Sequence, residues 1–395
     1  MEENIATYFA PLDLDALEYN LPPDDNRHIG GNLRLHTEKN GFPDLDAVRV
    51  ALIGVPEERN AYNNVGCSLA PDEIRKAFYR LYRMEDMPAT ADLGNFRIGK
   101  ETNDTYHALS ETLAFLIRKR IVPVILGGSQ DLTYANYLAY EQLQEVVNIT
   151  AIDPKFNIGN KLSENSSEAF VHRIILRQPN YLFNYSNLGY QSYFVSPDDV
   201  ALMEKLRFDA TRLGVLQEDI RQCEPILRDS SIVSIDMAAV RFSDAPGCRQ
   251  VSPNGLNGKE ICTLARYAGA AGRVTSFGIY EYNPSCDIAG QSALLIAEML
   301  WYFLEGFSIR SNEQPDILQE NCIKYIVELQ QRLYQINFYE SKTSGLWWME
   351  VPCADKKAKF ERMYLIPCTR KDYETACQGE LPERWLSTYQ KLEKK

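Results

Sequence analysis

The chain has 395 residues, a formal net charge of −12 and a composition of 45% hydrophobic and 24% charged residues. This composition is that of a globular protein with a core of ordinary size. The acidic balance repels phosphate backbones and offers no basic surface to anionic lipids. Nucleic acid and membrane are therefore excluded as main partners.

The beginning of the sequence lacks the basic start and apolar stretch of a signal peptide. No run of about 18 apolar residues predicts a membrane-spanning helix. The nine cysteines are scattered and include no C-x-x-C pair, which favours free thiols in a reducing compartment. We therefore expect a cytoplasmic protein. Its four histidines are too few for a His-rich metal site.

Three segments are predicted along the chain. Residues 1–45 are rich in Asp, Asn, Pro and Gly, which predicts an extended N-terminal arm that lies on the body. Residues 46–308 alternate apolar strands with amphipathic helices, which predicts a three-layer α/β/α domain with a mostly parallel sheet. Residues 309–395 predict a C-terminal extension with an amphipathic helix over residues 317–336, a short strand pair and small helices.

Within residues 46–308 the strands and helices are predicted in alternation. The predicted strands are DAVRVALIGV, RIVPVILGG, NITAID, SYFVS (residues 192–196), SIVSIDM and RVTSFGIYEY. The predicted helices are APDEIRKAFYRLYRM, ETNDTYHALSETLAFLIRKR, DLTYANYLAYEQLQ, PDDVALMEKLRF, NGKEICTLARYAGAAG and GQSALLIAEMLWYFLEGF.

Polar residues follow several of the predicted strands. In open α/β sheets, ligands bind outside the carboxyl ends of the strands. At such ends the sequence places Asp153, Lys155, Asp236 and Glu281. These residues predict either a functional pocket or a buried ion pair of Lys155 with Asp153 or Asp236 that only completes the core.

Two aromatic features have alternative explanations. Residues 180–194 (NYLFNYSNLGYQSYF) are dense in aromatic side chains, which suits an interface or, as we favour, packing in the core. Trp347 and Trp348 are adjacent, so they cannot face the same side of a strand. One of them is therefore expected to pack the C-terminal segment onto the body.

The order and spacing of several motifs resemble the ureohydrolase family of arginases, agmatinases and formimidoylglutamases. The resemblance covers roughly residues 48–305 and is strongest to the formimidoylglutamase branch. It implies an arginase-like fold and, since family members often assemble, a homo-oligomer. The matching segments are VALIGVPEERNAYNNVGCSLAPDEIR, ADLGN, VILGGSQD, AIDPKFNIG, SIDMAAVRFSDAPG with PNGLNGKE, and IYEYNPSCD.

In that family, six side chains hold two manganese ions bridged by a hydroxide that attacks a guanidinium or formimidoyl carbon. Asp153 and Asp236 match two of the six ligand positions. The resemblance therefore implies a degenerate metal site, and we expect no metal cofactor. The four remaining positions carry Gln130 and Lys155 in place of His, and Asn157 and Ala238 in place of Asp.

Lys155 is the replacement with the largest physical consequence. A protonated ammonium has no lone pair and repels a divalent cation, most strongly where water is scarce. Two nearby carboxylates favour this charged form. We hypothesise that the ammonium of Lys155 takes the place of the missing metal and neutralises Asp153 and Asp236.

Other family positions are matched by His172 and Glu281. His172 stands about where the family carries a proton-shuttling histidine, although a carbonyl partner would equally explain a lone histidine. Glu281 matches the glutamate that holds the cationic head of the substrate, although it could pair with Lys155 or Arg241 instead. Gln130, Asn157 and Glu281 are the predicted substrate-binding residues.

Three functions remain open. The favoured one is a catalytically inactive family member that binds a small amidine or guanidino ligand or serves in a protein assembly. The alternative is an active hydrolase of linear amidines that uses Mn2+, with Asp153, Asp236, His172 and Glu281 as its residues. The third is a different enzyme with Lys155 as base or nucleophile, which nearby acids disfavour because they keep the lysine pKa high.

Overall fold

The structure is a computed structural model that describes residues 5–19, 26–158, 166–310, 320–329, 334–352 and 364–393. A ten-stranded sheet forms the body. A four-stranded sheet with two helices forms the C-terminal extension.

The large sheet is almost entirely parallel. Its spatial order is β1-β4-β3-β5-β10-β9-β6-β7-β8, with β2 beside β4, and only the short pairing of β1 with β4 is antiparallel. The strands are β1 (Phe9–Ala10), β2 (Arg34–Leu35), β3 (Val50–Val55), β4 (Thr90–Phe96), β5 (Val122–Gly127), β6 (Val147–Ile152), β7 (Leu182–Tyr190), β8 (Asp209–Arg212), β9 (Ile232–Asp236) and β10 (Ser276–Tyr280).

Helices cover both faces of this sheet, which confirms the predicted three-layer α/β/α fold. Val50 and Leu52 of β3 pack into one core, whereas Ala51 and Ile53 pack into the other, because side chains alternate along a strand. The helices of the body are α1 (Ala70–Phe78), α2 (Thr102–Arg118), α3 (Leu132–Leu143), α4 (Phe170–Leu176), α5 (Pro197–Leu206), α6 (Leu213–Glu218), α7 (Glu224–Arg228), α8 (Gly258–Ala270) and α9 (Gln291–Ser308).

One predicted strand is wrong. Residues 192–196 form an irregular turn, and the strand of this region is β7, which ends at Tyr190. The aromatic run from Leu182 to Tyr190 pairs with β6 and β8, whereas the later residues approach Pro197, which begins α5. Ser196 accepts a hydrogen bond from the Asp199 N–H and so caps that helix.

The C-terminal extension is an antiparallel sheet in the order β11-β12-β13-β14, followed by two helices. The predicted helix over residues 317–336 is wrong, because its described part forms β11 and the beginning of β12. The run has apolar residues at both helical and strand spacing, and Val327 and Leu329 are buried on one face of β11. The elements are β11 (Cys322–Leu329), β12 (Tyr334–Ser341), β13 (Trp347–Glu350), β14 (Leu365–Cys368), α10 (Arg370–Cys377) and α11 (Glu383–Glu393).

The extension docks at the amino ends of the strands of the body. Val146 precedes β6 and Phe183 lies near the beginning of β7, and both share a hydrophobic core with Trp347. The Arg228 guanidinium lies 4.5 Å from the ring centroid of Trp348 and donates to the Trp347 carbonyl at 2.9 Å. Trp348 thus packs against the body, as predicted for one of the two tryptophans.

The structure bears on two sequence predictions, which concern membrane-spanning helices and the state of the cysteines. None of the described helices is long and apolar enough to cross a membrane. The eight cysteines within the described residues are free thiols, as predicted, and Cys353 lies outside them. The cytoplasmic location stays a prediction.

A buried ion pair joins α1 to β4. Arg75 is fully buried, and its Nε and Nη2 donate to the two carboxylate oxygens of Asp92 at 2.8 and 2.9 Å. The Tyr79 hydroxyl donates to the same carboxylate at 2.8 Å. This bidentate pair of hydrogen bonds satisfies both charges and fixes the helix on the sheet.

Arg75→Met should leave the Asp92 carboxylate buried without its main partner. We expect the free energy of unfolding, measured by urea denaturation, to fall by about 3–5 kcal/mol. The control is Lys76→Met on the same helix, which removes a partly exposed partner of Glu73 and should change that energy by less than about 1 kcal/mol. Equal losses in the two variants would contradict this assignment.

Candidate active site

Polar side chains from four neighbouring strand ends converge at the carboxyl edge of the large sheet. Asp153 follows β6, Asp236 ends β9, and Glu281 follows β10. Gln130 comes from the short connection between β5 and α3. Because β5, β10, β9 and β6 are adjacent in the sheet, these residues meet in space although they are far apart in sequence.

A cavity of about 20 Å³ lies among these side chains. A void of this size holds about one water molecule. Asp153 lies directly behind its wall and is hydrogen-bonded to two of the residues that form it. The sequence-predicted site residues that line the cavity are Gln130, Lys155, Asn157, Asp236 and Glu281.

Amide and backbone groups satisfy the buried carboxylate of Asp153. Its Oδ1 accepts from the Lys155 N–H at 2.7 Å, and its Oδ2 accepts from Asn157 Nδ2 at 2.6 Å. Asn157 Nδ2 also donates to Gln130 Oε1 at 2.8 Å. Asn157 has a φ of 55°, a left-handed conformation that Asn tolerates better than most residues. Gln130 and Asn157, two of the predicted substrate-binding residues, therefore form a hydrogen-bonded network with Asp153.

Neutral hydrogen-bond donors also satisfy the carboxylate of Glu281. Its Oε1 accepts from the Gln130 N–H at 2.9 Å, and its Oε2 accepts from Asn64 Nδ2 at 2.8 Å. The predicted alternatives of an ion pair with Lys155 or Arg241 are not observed among the described residues, and Arg241 pairs with Asp244. Glu281 has a φ of 64°, which is strained for this residue type and is maintained by the surrounding bonds.

The ammonium of Lys155 binds a carboxylate that the sequence did not point to. Its Nζ donates to Glu168 and, at 2.6 Å, to Gln250 Oε1. It forms no ion pair with Asp153 or Asp236, so the hypothesis that it neutralises them directly is wrong. The physical reason is that the turn before α4 places the Glu168 carboxylate within hydrogen-bond distance of the Lys155 ammonium.

Burial dominates the electrostatics of the cavity. It raises the pKa of Asp153 to about 6 and the pKa of Glu281 to about 7. Burial, together with repulsion from those two carboxylates, raises the pKa of Asp236 well above its ordinary range. Burial lowers the pKa of Lys155, but the hydrogen bond and charge of Glu168 outweigh it, so that its pKa is raised overall. A charged ammonium therefore faces carboxylates that are partly protonated near neutral pH.

The structure does not bring His172 to the cavity. His172 lies on α4 and is half-buried, but it is not among the residues that line the cavity. Ser167 and Glu168, which precede that helix, face the cavity instead. The proton-shuttle role of His172 therefore gains no support from its position.

Sequence reasoning missed Asn64, Glu168 and Gln250. Asn64 comes from the long loop after β3, Glu168 from the turn before α4, and Gln250 from the loop after β9. Asn64 could have been found, since it lies in the first family-like motif. Glu168 and Gln250 carry no local pattern, because only the folded chain brings them to Lys155.

The sequence matches the arginase family over residues 48–305, which is more than half of the chain. The chain belongs to the arginase family. This confirms the predicted resemblance and the predicted arginase-like fold.

The similar proteins include formimidoylglutamases. The formimidoylglutamase of Bacillus subtilis (strain 168) is 23% identical over 286 residues, which cover 66% of this chain and 87% of that protein. The crystal structure of the Bacillus subtilis formimidoylglutamase superposes with a TM-score of 0.65 at 20% identity, covering 75% of this chain and 99% of that one. The Trypanosoma cruzi formiminoglutamase with Mn2+ superposes with a TM-score of 0.64 at 16% identity, covering 73% and 100%.

These relatives correct the prediction that no metal cofactor is involved. One of them is described with Mn2+, so the family points to a metal cofactor and the prediction of none is wrong. In this chain, Asp153 and Asp236 are the side chains that could hold an ion. The donor set does not fit the two-ion cluster of the family, since no group of three His, Cys, Asp or Glu suited to a metal occurs in the described part of the chain.

Lys155→Met should leave Glu168 without its cation and remove positive charge from near Asp153 and Asp236. Since the Lys155 side chain is 28% exposed, we expect the free energy of unfolding to fall by about 1–3 kcal/mol near neutral pH. Lys205→Met, at an exposed position on α5, is the matched control and should have little effect in the same urea titration. A similar loss in both variants would show that the Lys155 bonds contribute nothing specific.

The raised pKa values predict a pH dependence of stability. A carboxylate whose pKa is higher in the folded state binds protons more tightly there, so its contribution to stability is lost as pH rises. For Glu281 the loss falls between its ordinary pKa of 4.5 and about 7. We expect Glu281→Gln to lose less stability than the wild type across that window, as measured by urea denaturation at several pH values. Glu204→Gln, at an exposed position, should follow the wild-type curve, and parallel curves for Glu281→Gln would contradict the prediction.

Proposed function

We propose that this chain is a catalytically inactive member of the arginase family that acts as a binding module. The observation that carries the proposal is the narrowing of the cavity by Lys155, Glu168 and Gln250. Lys155 Nζ donates to the other two side chains, and the cavity leaves room for about one water molecule. The head of a linear amidine needs more room than this, so such a ligand would enter only by displacing the Lys155 ammonium.

The chemistry of the replaced positions supports the same conclusion. Attack on an amidine carbon needs a water activated by a Lewis acid or by a base. Gln130, Lys155, Asn157 and Ala238 offer amides, a protonated ammonium and a methyl group, none of which is a base near neutral pH.

The rest of the molecule is suited to binding. The superposition covers 99% of the Bacillus subtilis formimidoylglutamase chain, and the extension is docked at the edge of the sheet opposite the cavity. The partners that such a body would serve are a small amidine or guanidino ligand, or other protein chains, including copies of this one.

A second candidate function is the hydrolysis of linear amidines. It is favoured by the survival of Asp153, Asp236 and Glu281 as a group and by relatives named formimidoylglutamase. Asp153 and Asp236 would hold Mn2+, which supplies an activated water, and Glu281 would bind the cationic head. Lys155 as a nucleophile is disfavoured, because its raised pKa keeps it protonated.

A product assay separates these functions. The purified full chain is incubated, with and without added Mn2+, with formimidoylglutamate and a panel of guanidino compounds, and release of formamide or urea is measured. Because the cavity leaves room for about one water molecule and the replaced positions offer no base, we expect no product above the enzyme-free rate. The Bacillus subtilis formimidoylglutamase serves as the positive control for the conditions.

Two other results would contradict the proposal in different ways. Mn2+-dependent turnover that is lost in Asp236→Ala would establish the hydrolase. Turnover that resists chelator but is lost in Lys155→Ala would make Lys155 a catalytic residue.

A further inference from the structure

A second cavity, of about 200 Å³, opens at the carboxyl ends of β7 and β8. Its volume is about ten times that of the first cavity, so it admits a small molecule rather than water alone. The end of the aromatic segment 180–194 forms part of its wall, through Tyr190 and Tyr193. No catalytic or binding role described above uses this cavity.

Arg212 is the charged side chain in the lining of this cavity. It is exposed, and its Nη2 donates to Ser192 Oγ at 3.1 Å. Among the described residues it forms no ion pair, although the chain as a whole is acidic. A guanidinium without a carboxylate partner at the mouth of a cavity is suited to binding an anionic group.

The polar walls around Arg212 are held in place by bonds within the protein. The Tyr193 hydroxyl donates to Gln191 Oε1 and accepts from Asn254 Nδ2 at 3.0 Å. Gln217 Nε2 donates to the Gly255 carbonyl at 3.3 Å and to Glu260 Oε2 at 3.1 Å. These bonds engage the Tyr193 hydroxyl and the Gln217 amide, whereas Arg212 and the Ser192 hydroxyl proton can meet a ligand. A preformed site of this kind loses little entropy on binding.

We propose that this cavity binds the carboxylate of a small organic acid. The Arg212 guanidinium presents two parallel N–H groups to the carboxylate, and the Ser192 hydroxyl, which accepts from Arg212, donates its proton to the same group. The rings of Tyr190 and Tyr193 and the side chain of Leu213 provide the apolar surface for the carbon skeleton. This site does not depend on whether the chain catalyses a reaction.

The acid that binds at Arg212 can be of two kinds, because the two cavities share a wall. The Gln191 N–H in the second cavity donates to the carbonyl of Pro154, which lines the first, at 3.0 Å. The carboxylate therefore belongs either to a free acid or to an acid whose amidine or guanidino end reaches towards Glu281. The recognition chemistry at Arg212 is the same in both cases.

Calorimetric titration of the full chain with glutarate, at low salt and near neutral pH, tests the proposal. The wild type should bind glutarate, and its uncharged diamide should bind about tenfold or more weakly. Arg212→Met should weaken glutarate binding by a similar factor. Arg221→Met is the matched control, since it makes the same charge change at an exposed arginine that pairs with Asp219 outside the cavity. It should bind glutarate as the wild type does.

Butyrate and 4-guanidinobutyrate distinguish the two sources. If the two compounds bind the wild type with equal affinity, and both bind Arg212→Met more weakly, the site takes free acids. If 4-guanidinobutyrate binds about tenfold more tightly than butyrate, and this difference disappears in Glu281→Gln, the ligand spans both cavities. Failure of every acid to bind at millimolar concentration would overturn the proposal. Equal affinities for wild type and Arg212→Met would overturn it as well.

Discussion

The crowding of three carboxylates at one edge of the sheet is the constraint on which the candidate site depends. Asp153 and Glu281 are buried and Asp236 is half-buried, and an unpaired buried charge is expensive. In this chain they are stabilised by partial protonation, by amide and backbone donors, and by the field of the Lys155 ammonium. Glu168 anchors that ammonium. The outcome is a polar cluster that leaves room for about one water molecule.

The same strand ends that produce this cluster also produce the larger cavity beside it. Both lie at the carboxyl edge of a parallel sheet, where the loops of an α/β fold gather. The first cavity has been filled by side chains that bond to one another, whereas the second keeps an arginine without an acidic partner in the described chain. The proposed small-molecule site therefore lies in the loops beside the first cavity, while the C-terminal extension occupies the opposite edge.

The fold and most of the site could be predicted from the sequence, because strand ends in a parallel sheet converge wherever they lie in the chain. The partner of Lys155 could not, since Glu168 stands in a turn whose position depends on the packing of α4. The strand β11 was taken for a helix because its apolar residues satisfy both spacings. The expectation of no metal failed for another reason. That expectation rested on the number of metal ligands in this one chain, whereas its relatives point to a metal cofactor.

The central claim, proposed above, is that Lys155 blocks the first cavity of this chain. A high-resolution crystal structure of the full chain, grown with excess Mn2+, tests it most directly. The account predicts the Lys155 ammonium between Glu168 and Gln250, with room for about one water beside it, whether or not Asp153 and Asp236 hold a single ion. A Lys155 side chain turned away from Glu168, with two metal ions in its place, would contradict it.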